Sequence, residues 1–381
     1  MKMTRTAIYL DCNATTPIEP KVQEEVLKYL SVEFGNSGSR THDYGARAKQ
    51  AVERARKQVA AVVRAKTDEV IFTSGATESN NLAILGLASH GEATQRRHIV
   101  SSLIEHKAVL EPLEALSKRG FEVTLVRPNK DGWVEPDLIR EAVRADTLLV
   151  SIMQANNETG VVQPLPEIAE ILHNHPAYFH VDAAQGFGKE FAAVENERID
   201  LLSISGHKIY GPKGIGALIA RRRGFNRPPL SPLFYGGGQE RGLRPGTLPV
   251  PLIVGLGTAA ELAMKQNNDR RVRCLTFRRT ALEMLGPLDP IFNGDQSRSL
   301  PHVLNISLPG IDSEALMVTL KGTIAISNGS ACTSQSYEPS HVLRAMGLAA
   351  EQIKGAVRLS WCHMTDTPDW NEVTKIIKRL L

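Results

Sequence analysis

The sequence predicts an α/β protein, with a large unit on a mainly parallel central sheet flanked by helices and a smaller α/β unit beside it. Three observations predict it. The 381 residues exceed what one domain of ~150 residues uses. Between residues 69 and 204, short runs rich in Val, Ile and Leu alternate with helix-patterned stretches. After about residue 246 that alternation gives way to one long helical pattern, then to a second, shorter set of strands and helices.

In chain order, Ala7–Leu10 reads as an opening strand. The large unit follows with strands at Glu69–Phe72, His98–Val100, Glu122–Val126, Thr147–Ile152, Tyr178–Val181 and Leu201–Ile204. Helix patterns at 77–89, 106–119, 135–145 and 164–174 lie among them. In such a sheet, ligands gather at the strands' carboxyl ends. The pattern from Pro249 to about Leu285, with Arg270-Arg271 and Arg278-Arg279, reads as a connector. Strands at Val303–Ser307, Thr323–Ile326 and Ala356–Ser360, with helices near 312–320, 339–346 and 369–380, make the smaller unit. We expect residues 15–255 to form the large domain, and residues 1–14 with 256–381 the small one.

Composition excludes several classes. Hydrophobic residues at 42% and charged residues at 23% match a globular enzyme, not a disordered or collagenous chain. A net charge of +4 is too weak to imply nucleic acid, and Arg221-Arg222-Arg223 reads as a solvated face, so no direct nucleic-acid binding is expected. Cys12, Cys274, Cys332 and Cys362 are widely spaced, with no C-x-x-C pair. That excludes a zinc knuckle or disulfide framework and implies reduced thiols and a cytoplasmic home. No signal peptide is expected. The most apolar window, Val250–Met264, is broken by Pro251, Gly255, Gly257 and Glu261, so no membrane span is expected either.

Three segments could carry chemistry. Thr73-Ser74-Gly75-Ala76-Thr77-Glu78 follows a strand and opens a helix, where free backbone amides make an anion cradle; the alternative is N-capping by Ser74 or Thr77. Asp182 stands just past a buried strand and wants a cation; the alternative is a helix N-cap. Lys208 lies beyond another strand in a glycine-bearing loop, as a nucleophilic amine or as a solvated surface lysine. Gly206 to Gly214 does not match a P-loop, and no G-x-G-x-x-G opens the first unit. One cofactor uses all three features: pyridoxal phosphate, with its phosphate, protonated ring nitrogen and aldehyde. Cys332, in the small-residue run Ser327–Ser336, is expected to be exposed and reactive; Cys12, Cys274 and Cys362 are expected to be inertly packed.

These segments, with Tyr9-Leu10-Asp11, Gly35-Asn36, Glu105-His106-Lys107, Asn156-Asn157-Glu158, Arg244-Pro245-Gly246-Thr247 and Gly329-Ser330-Ala331-Cys332-Thr333-Ser334, resemble the cysteine desulfurases over essentially the whole chain. These are class V aminotransferase-family enzymes of fold type I, dependent on pyridoxal phosphate, and Ser330–Ser334 is similar to the long-loop subgroup. The resemblance implies a fold type I transferase that converts L-cysteine to L-alanine and leaves a persulfide on Cys332. It implies Lys208 as the Schiff-base lysine that also moves the Cα proton, Asp182 on the ring nitrogen, Gln185 on the phenolic oxygen and His106 stacked on the ring. Ala76, Thr77, Ser205 and His207 would hold the phosphate, with Thr247 from the other subunit of a homodimer. Asn36, Asn157 and Arg358 would bind the substrate carboxylate, Asn157 also touching the cofactor. His106 is either a proton carrier in the thiol steps or a stacking ring alone.

No resident metal is expected, although Cys332 could transiently ligate an iron–sulfur cluster. The partner expected is a sulfur acceptor: a carrier, a scaffold, or a DNA or tRNA modification protein. Two departures stand out. Ser360-Trp361-Cys362-His363-Met364-Thr365 replaces a Gly-Arg-Phe-Thr stretch, and Leu381 follows soon after the last helix where relatives carry a longer tail. The short tail favours a dedicated pathway such as DNA phosphorothioation or tRNA thiolation over general iron–sulfur assembly. A selenocysteine lyase, and a nucleic-acid-binding or scaffold protein with a vestigial site, are the rival readings.

Overall fold

A computed structural model describes residues 7–329 and 339–380. The central sheet has seven strands, in the order Val70–Thr73, Gly216–Ala220, Leu201–Ser205, Tyr178–Asp182, Thr147–Ser151, His98–Ser102 and Glu122–Val126. Gly216–Ala220 runs antiparallel to both neighbours, and the other six share one direction. The inner strands are apolar because helices cover both faces. Glu122–Val126, at one edge, is only partly buried.

Gly216–Ala220 is not among the strands read from sequence. Its register pairs Leu201 with Ala220 and Ser205 with Gly216. The chain therefore reverses within ten residues at the carboxyl end of Leu201–Ser205, and Lys208 sits in that reversal, at the end of the 3₁₀ turn Gly206–Lys208. Two further differences concern helices. The 77–89 pattern divides into Ala76–Leu85 and Ala88–Thr94, and helices Pro20–Ser31 and Asp43–Val62 precede the sheet. The latter buries Ala48, Ala51, Val52, Ala55 and Val59, a stripe at helical spacing written mostly in alanine, so its amphipathic contrast is low.

The connector is a 36-residue helix, Val250–Leu285. Its first half, with Ile253, Val254, Leu256 and Ala260, packs into the large core with the sheet and the two early helices. Its second half, with Cys274, Phe277, Ala281 and Leu285, enters a separate core with Leu304, Leu316, Trp361 and Trp370. That core covers the antiparallel strands Ile291–Phe292, Val303–Ser307 and Ala356–Ser360. Ile8–Tyr9 pairs in parallel with Ile324–Ala325 beside it. The departure at Trp361 is a core residue: it is fully buried and stacks on Phe277 at 4.8 Å. No helix among the described residues is long and apolar enough to cross a membrane.

Within the basic runs, Arg221, Arg270 and Arg278 are buried rather than solvated, whereas Arg223, Arg271 and Arg279 are exposed. Arg221 is buried and donates to the carbonyls of Val63, Val194, Asn196 and Ile199, while Arg223 is paired with Asp200. Arg270 meets Glu19 at 2.9 Å, and Arg278 donates to the Val303 carbonyl at 2.6 Å. Guanidinium groups here tie chain segments together, because a planar fork of donors can serve several carbonyls at once.

The outer edge of the sheet is closed in the same way. Glu240 makes a paired contact with Arg56 at 2.7 and 2.8 Å and accepts the Phe72 amide at 2.7 Å. Both side chains are buried. We expect Glu240→Ala to cost about 3–5 kcal/mol of stability, because it leaves a buried guanidinium with only the exposed Glu53 carboxylate, 3.3 Å from its Nε, as counter-charge and an edge amide without an acceptor. Urea unfolding checks this; a loss below about 1 kcal/mol, an exposed-pair value, would refute it.

Candidate active site

A cavity of 510 Å³ opens at the carboxyl ends of the parallel strands. Residues just beyond Thr73, Ser102, Ser151, Asp182 and Ser205 line it, as the topology requires. Asp182 ends its strand and is 5% exposed. It accepts from Asn80 Nδ2 at 2.7 Å and from the Ala184 amide at 2.9 Å, and no helix follows for it to cap. Among the described residues it enters no ion pair. A buried carboxylate of this kind is completed by a cation from a ligand.

Lys208 Nζ reaches the opposite wall. It donates to the carbonyls of Asn13 and Ala14, the latter at 2.8 Å, so the solvated-lysine alternative does not hold. Gln185 Nε2 donates to the same Asn13 carbonyl at 3.0 Å. His207 also lies here, its Nδ1 3.1 Å from Thr15 Oγ1; burial, with the Lys208 charge adding, pushes its pKa down to about 4 and keeps it neutral.

The helix Ala76–Leu85 starts at Gly75 without a side-chain cap; Ser74 and Thr77 do not cap it. Its first-turn amides therefore face the cavity beside Ala76, Thr77 and Ser205. The close fit depends on Gly216, where a Cβ would lie 2.6 Å from the Gly75 α-carbon. Across the cavity, His106 Nδ1 accepts the Ala108 amide at 3.0 Å, which fixes the ring at the start of helix Lys107–Ser117. Arg358, on strand Ala356–Ser360, binds Asp11 at 2.6 Å and the Asn157 carbonyl at 2.8 Å, and its Nε has no partner among the described residues.

The structure thus brings Ala76, Thr77, His106, Asn157, Asp182, Gln185, Ser205, His207, Lys208 and Arg358 to one cavity. Asn36 and Thr247 are exposed and do not line it. Asn36 Oδ1 instead accepts the Gly38 amide. Cys332 lies outside the described residues. Cys12, Cys274 and Cys362 are buried, as expected, and the fold brings Cys12 and Cys362 into one small buried cluster with Tyr210.

Sequence reasoning missed Asn13, Asn80 and Glu105. Single asparagines carry no chemical signature in a sequence, and Glu105 was quoted only within a motif. Burial, with the Asp182 charge adding, pushes the Glu105 carboxyl up to about 8; it accepts from the Ser102 hydroxyl and from the amide of Met153, which lines the cavity. Pyridoxal phosphate fits this wall. Among the described residues, Asn13 Oδ1, Asn80 Oδ1 and Gln185 Oε1 are buried without hydrogen-bond partners, Asp182 has no cation, and the helix start has no side-chain cap.

The aminotransferase class-V family model matches residues 8–373. Cysteine desulfurase IscS of Vibrio cholerae serotype O1 is 44% identical over 97% of this chain and 92% of its own length. Among solved structures, DndA from Streptomyces lividans is 50% identical with a TM-score of 0.82, covering 93% of this chain and 98% of that one. The structure described as SspA in complex with cysteine is 36% identical with a TM-score of 0.84, covering 94% of this chain and all of that one. Match and cavity agree: the chain belongs to the class V aminotransferase family and, within it, to the pyridoxal-phosphate-dependent cysteine desulfurases.

Proposed function

We propose that the enzyme converts L-cysteine to L-alanine, holds the sulfur on Cys332 as a persulfide and passes it to an acceptor protein. The observation that carries this reading is the convergence on one cavity of the Lys208 amine, the uncompensated Asp182 carboxylate, an uncapped helix start and the Arg358 guanidinium. Bound pyridoxal phosphate supplies an electron sink for the substrate Cα. Ala76, Thr77, Ser205 and His207 would hold its phosphate, Asp182 its ring nitrogen, Gln185 its phenolic oxygen and His106 its ring face.

Arg358 and Asn157 would orient the substrate carboxylate, for which a guanidinium fork is suited. Lys208 moves the Cα proton. The Cys332 thiolate attacks the substrate sulfur; an S–S bond forms, the Cβ–S bond breaks, Cβ takes a proton and alanine leaves. His106 carries protons in the thiol steps, where an imidazole titrates in the useful range. The exposure of Thr247, away from this chain's own cavity, supports a homodimer in which it reaches the other subunit's cofactor. The three free buried thiols go with a cytoplasmic setting.

For the acceptor we favour a dedicated carrier or modification protein, in DNA phosphorothioation or tRNA thiolation, over an iron–sulfur scaffold. In support, the chain is 50% identical to the DndA structure over 98% of that chain, against 44% to the Vibrio cholerae IscS and 47% to the IscS of Anaeromyxobacter dehalogenans. The test of the reaction is turnover of L-cysteine by the yellow purified protein under reductant. Alanine and sulfide are expected in equal amounts; alanine from selenocysteine alone would point to the lyase. Capture from the native host tests the acceptor, and recovery of an iron–sulfur scaffold alone would reverse that preference.

A further inference from the structure

Asn157 lines the cavity, and the residue after it lies against the chain that leads into and out of residues 330–338. Glu158 is 2% exposed. Its Oε2 accepts the Ser340 hydroxyl at 2.5 Å. The same oxygen is 3.2 Å from where a Cβ on Gly329 would sit, so the Glu158 side chain packs beside Gly329, whose φ of +82° disfavours any side chain there. Gly329 and Ser340 flank the Cys332-bearing segment on its two sides.

Each flank is itself tied to the catalytic frame. The Gly329 amide donates to Ser327 Oγ at 3.4 Å, and Ser327 pairs through its backbone with Arg358. Ser340 Oγ accepts the Leu343 amide at 3.0 Å and caps the helix His341–Ala345. The Glu158 carbonyl accepts from Asn305 Nδ2 at 3.2 Å, which fixes the residue from behind. Burial holds the carboxyl above the ordinary range, with Ser340, His341, Arg358 and His106 drawing it down.

We infer that Glu158 is a positioning residue for sulfur transfer: its carboxyl holds Ser340 on one flank of the Cys332 segment and its side chain packs beside Gly329 on the other, and so it governs the approach of the thiolate to the substrate sulfur. This rests on the reading of Cys332 given above. A side chain with such a role acts on the sulfur-transfer stage and leaves the cofactor stage alone, which separates it from a merely structural carboxylate.

The experiment mixes holoenzyme with L-cysteine for a single turnover. It follows the visible spectrum for the cofactor stage, and alkylation with mass spectrometry for the persulfide on Cys332. Glu158→Ala is expected to load Cys332 about tenfold more slowly, the cost of one lost hydrogen bond to a charged group, with the spectral change and KM within about twofold of the unsubstituted enzyme. Glu158→Gln, which keeps an acceptor for the Ser340 hydroxyl, is expected to recover most of that rate. Loading by Glu158→Ala at the original rate, or equal slowing of both stages, overturns the inference. If Glu158→Ala fails to fold, Ser340→Ala removes the same bond from the other side and must show the same split, or the inference falls. Cys332→Ala run in parallel keeps the two claims apart: persulfide formed without Cys332 defeats the reading of the thiol, whatever Glu158 does.

Discussion

Lys208→Ala is expected to lower alanine formation by at least about 10³-fold, because one side chain both anchors the cofactor and moves the Cα proton. Borohydride reduction followed by peptide mass mapping checks the anchoring half directly. The label is expected on Lys208 in the unsubstituted enzyme and nowhere in the variant. Lys213 also lines the cavity and is the control. It is exposed, whereas the Lys208 amine is held by the Asn13 and Ala14 carbonyls in the cavity that Asp182 and the helix start also line. Lys213→Ala is therefore expected to retain the label. A label on Lys213, or turnover surviving in Lys208→Ala, would reject the assignment.

Cys332→Ala is expected to retain the cofactor and the cysteine-dependent spectral change while alanine formation falls by about 10²–10³-fold, since no other thiol can receive the sulfur. A free thiol with a pKa of about 8.5 is only a few per cent ionised at neutrality, so the surroundings of the nucleophile matter as much as its identity. The remaining thiols do not offer a substitute. Cys12, Cys274 and Cys362 are 2%, 5% and 3% exposed. Burial pushes Cys274 up to about 12, and contact with Cys362 together with burial raises Cys12; the same contact draws Cys362 down to about 6, so burial rather than protonation keeps the Cys362 sulfur from the substrate. Turnover of Cys332→Ala at the original rate would establish a lyase that needs no persulfide.

The six co-directional strands were legible because burial on both faces writes them as continuous Val, Ile and Leu runs. Gly216–Ala220 was not, since a five-residue run with one glycine and two alanines has little strand propensity, and its two sheet neighbours decide it. Helix Asp43–Val62 was missed because alanine carries its buried stripe. At the site, Asp182 and Lys208 announced themselves as charged residues directly beyond apolar strands. Glu158 did not, although it lies in a quoted motif, because its side chain meets residues 329 and 340, far along the chain. Arg221 was misread for a related reason: a run of charge looks the same in sequence whether its partners are water or four buried carbonyls.

The long helix Val250–Leu285 has a consequence for how the molecule comes apart. At 1.5 Å per residue it is a hydrogen-bonded rod about 54 Å long, and each half supplies a wall to a different core. Melting either core alone would strip the apolar cover from half of the rod while the other half stayed docked. The rod thus makes the two cores partners in a single cooperative transition, in which the slowest-exchanging amides of one are tied to those of the other.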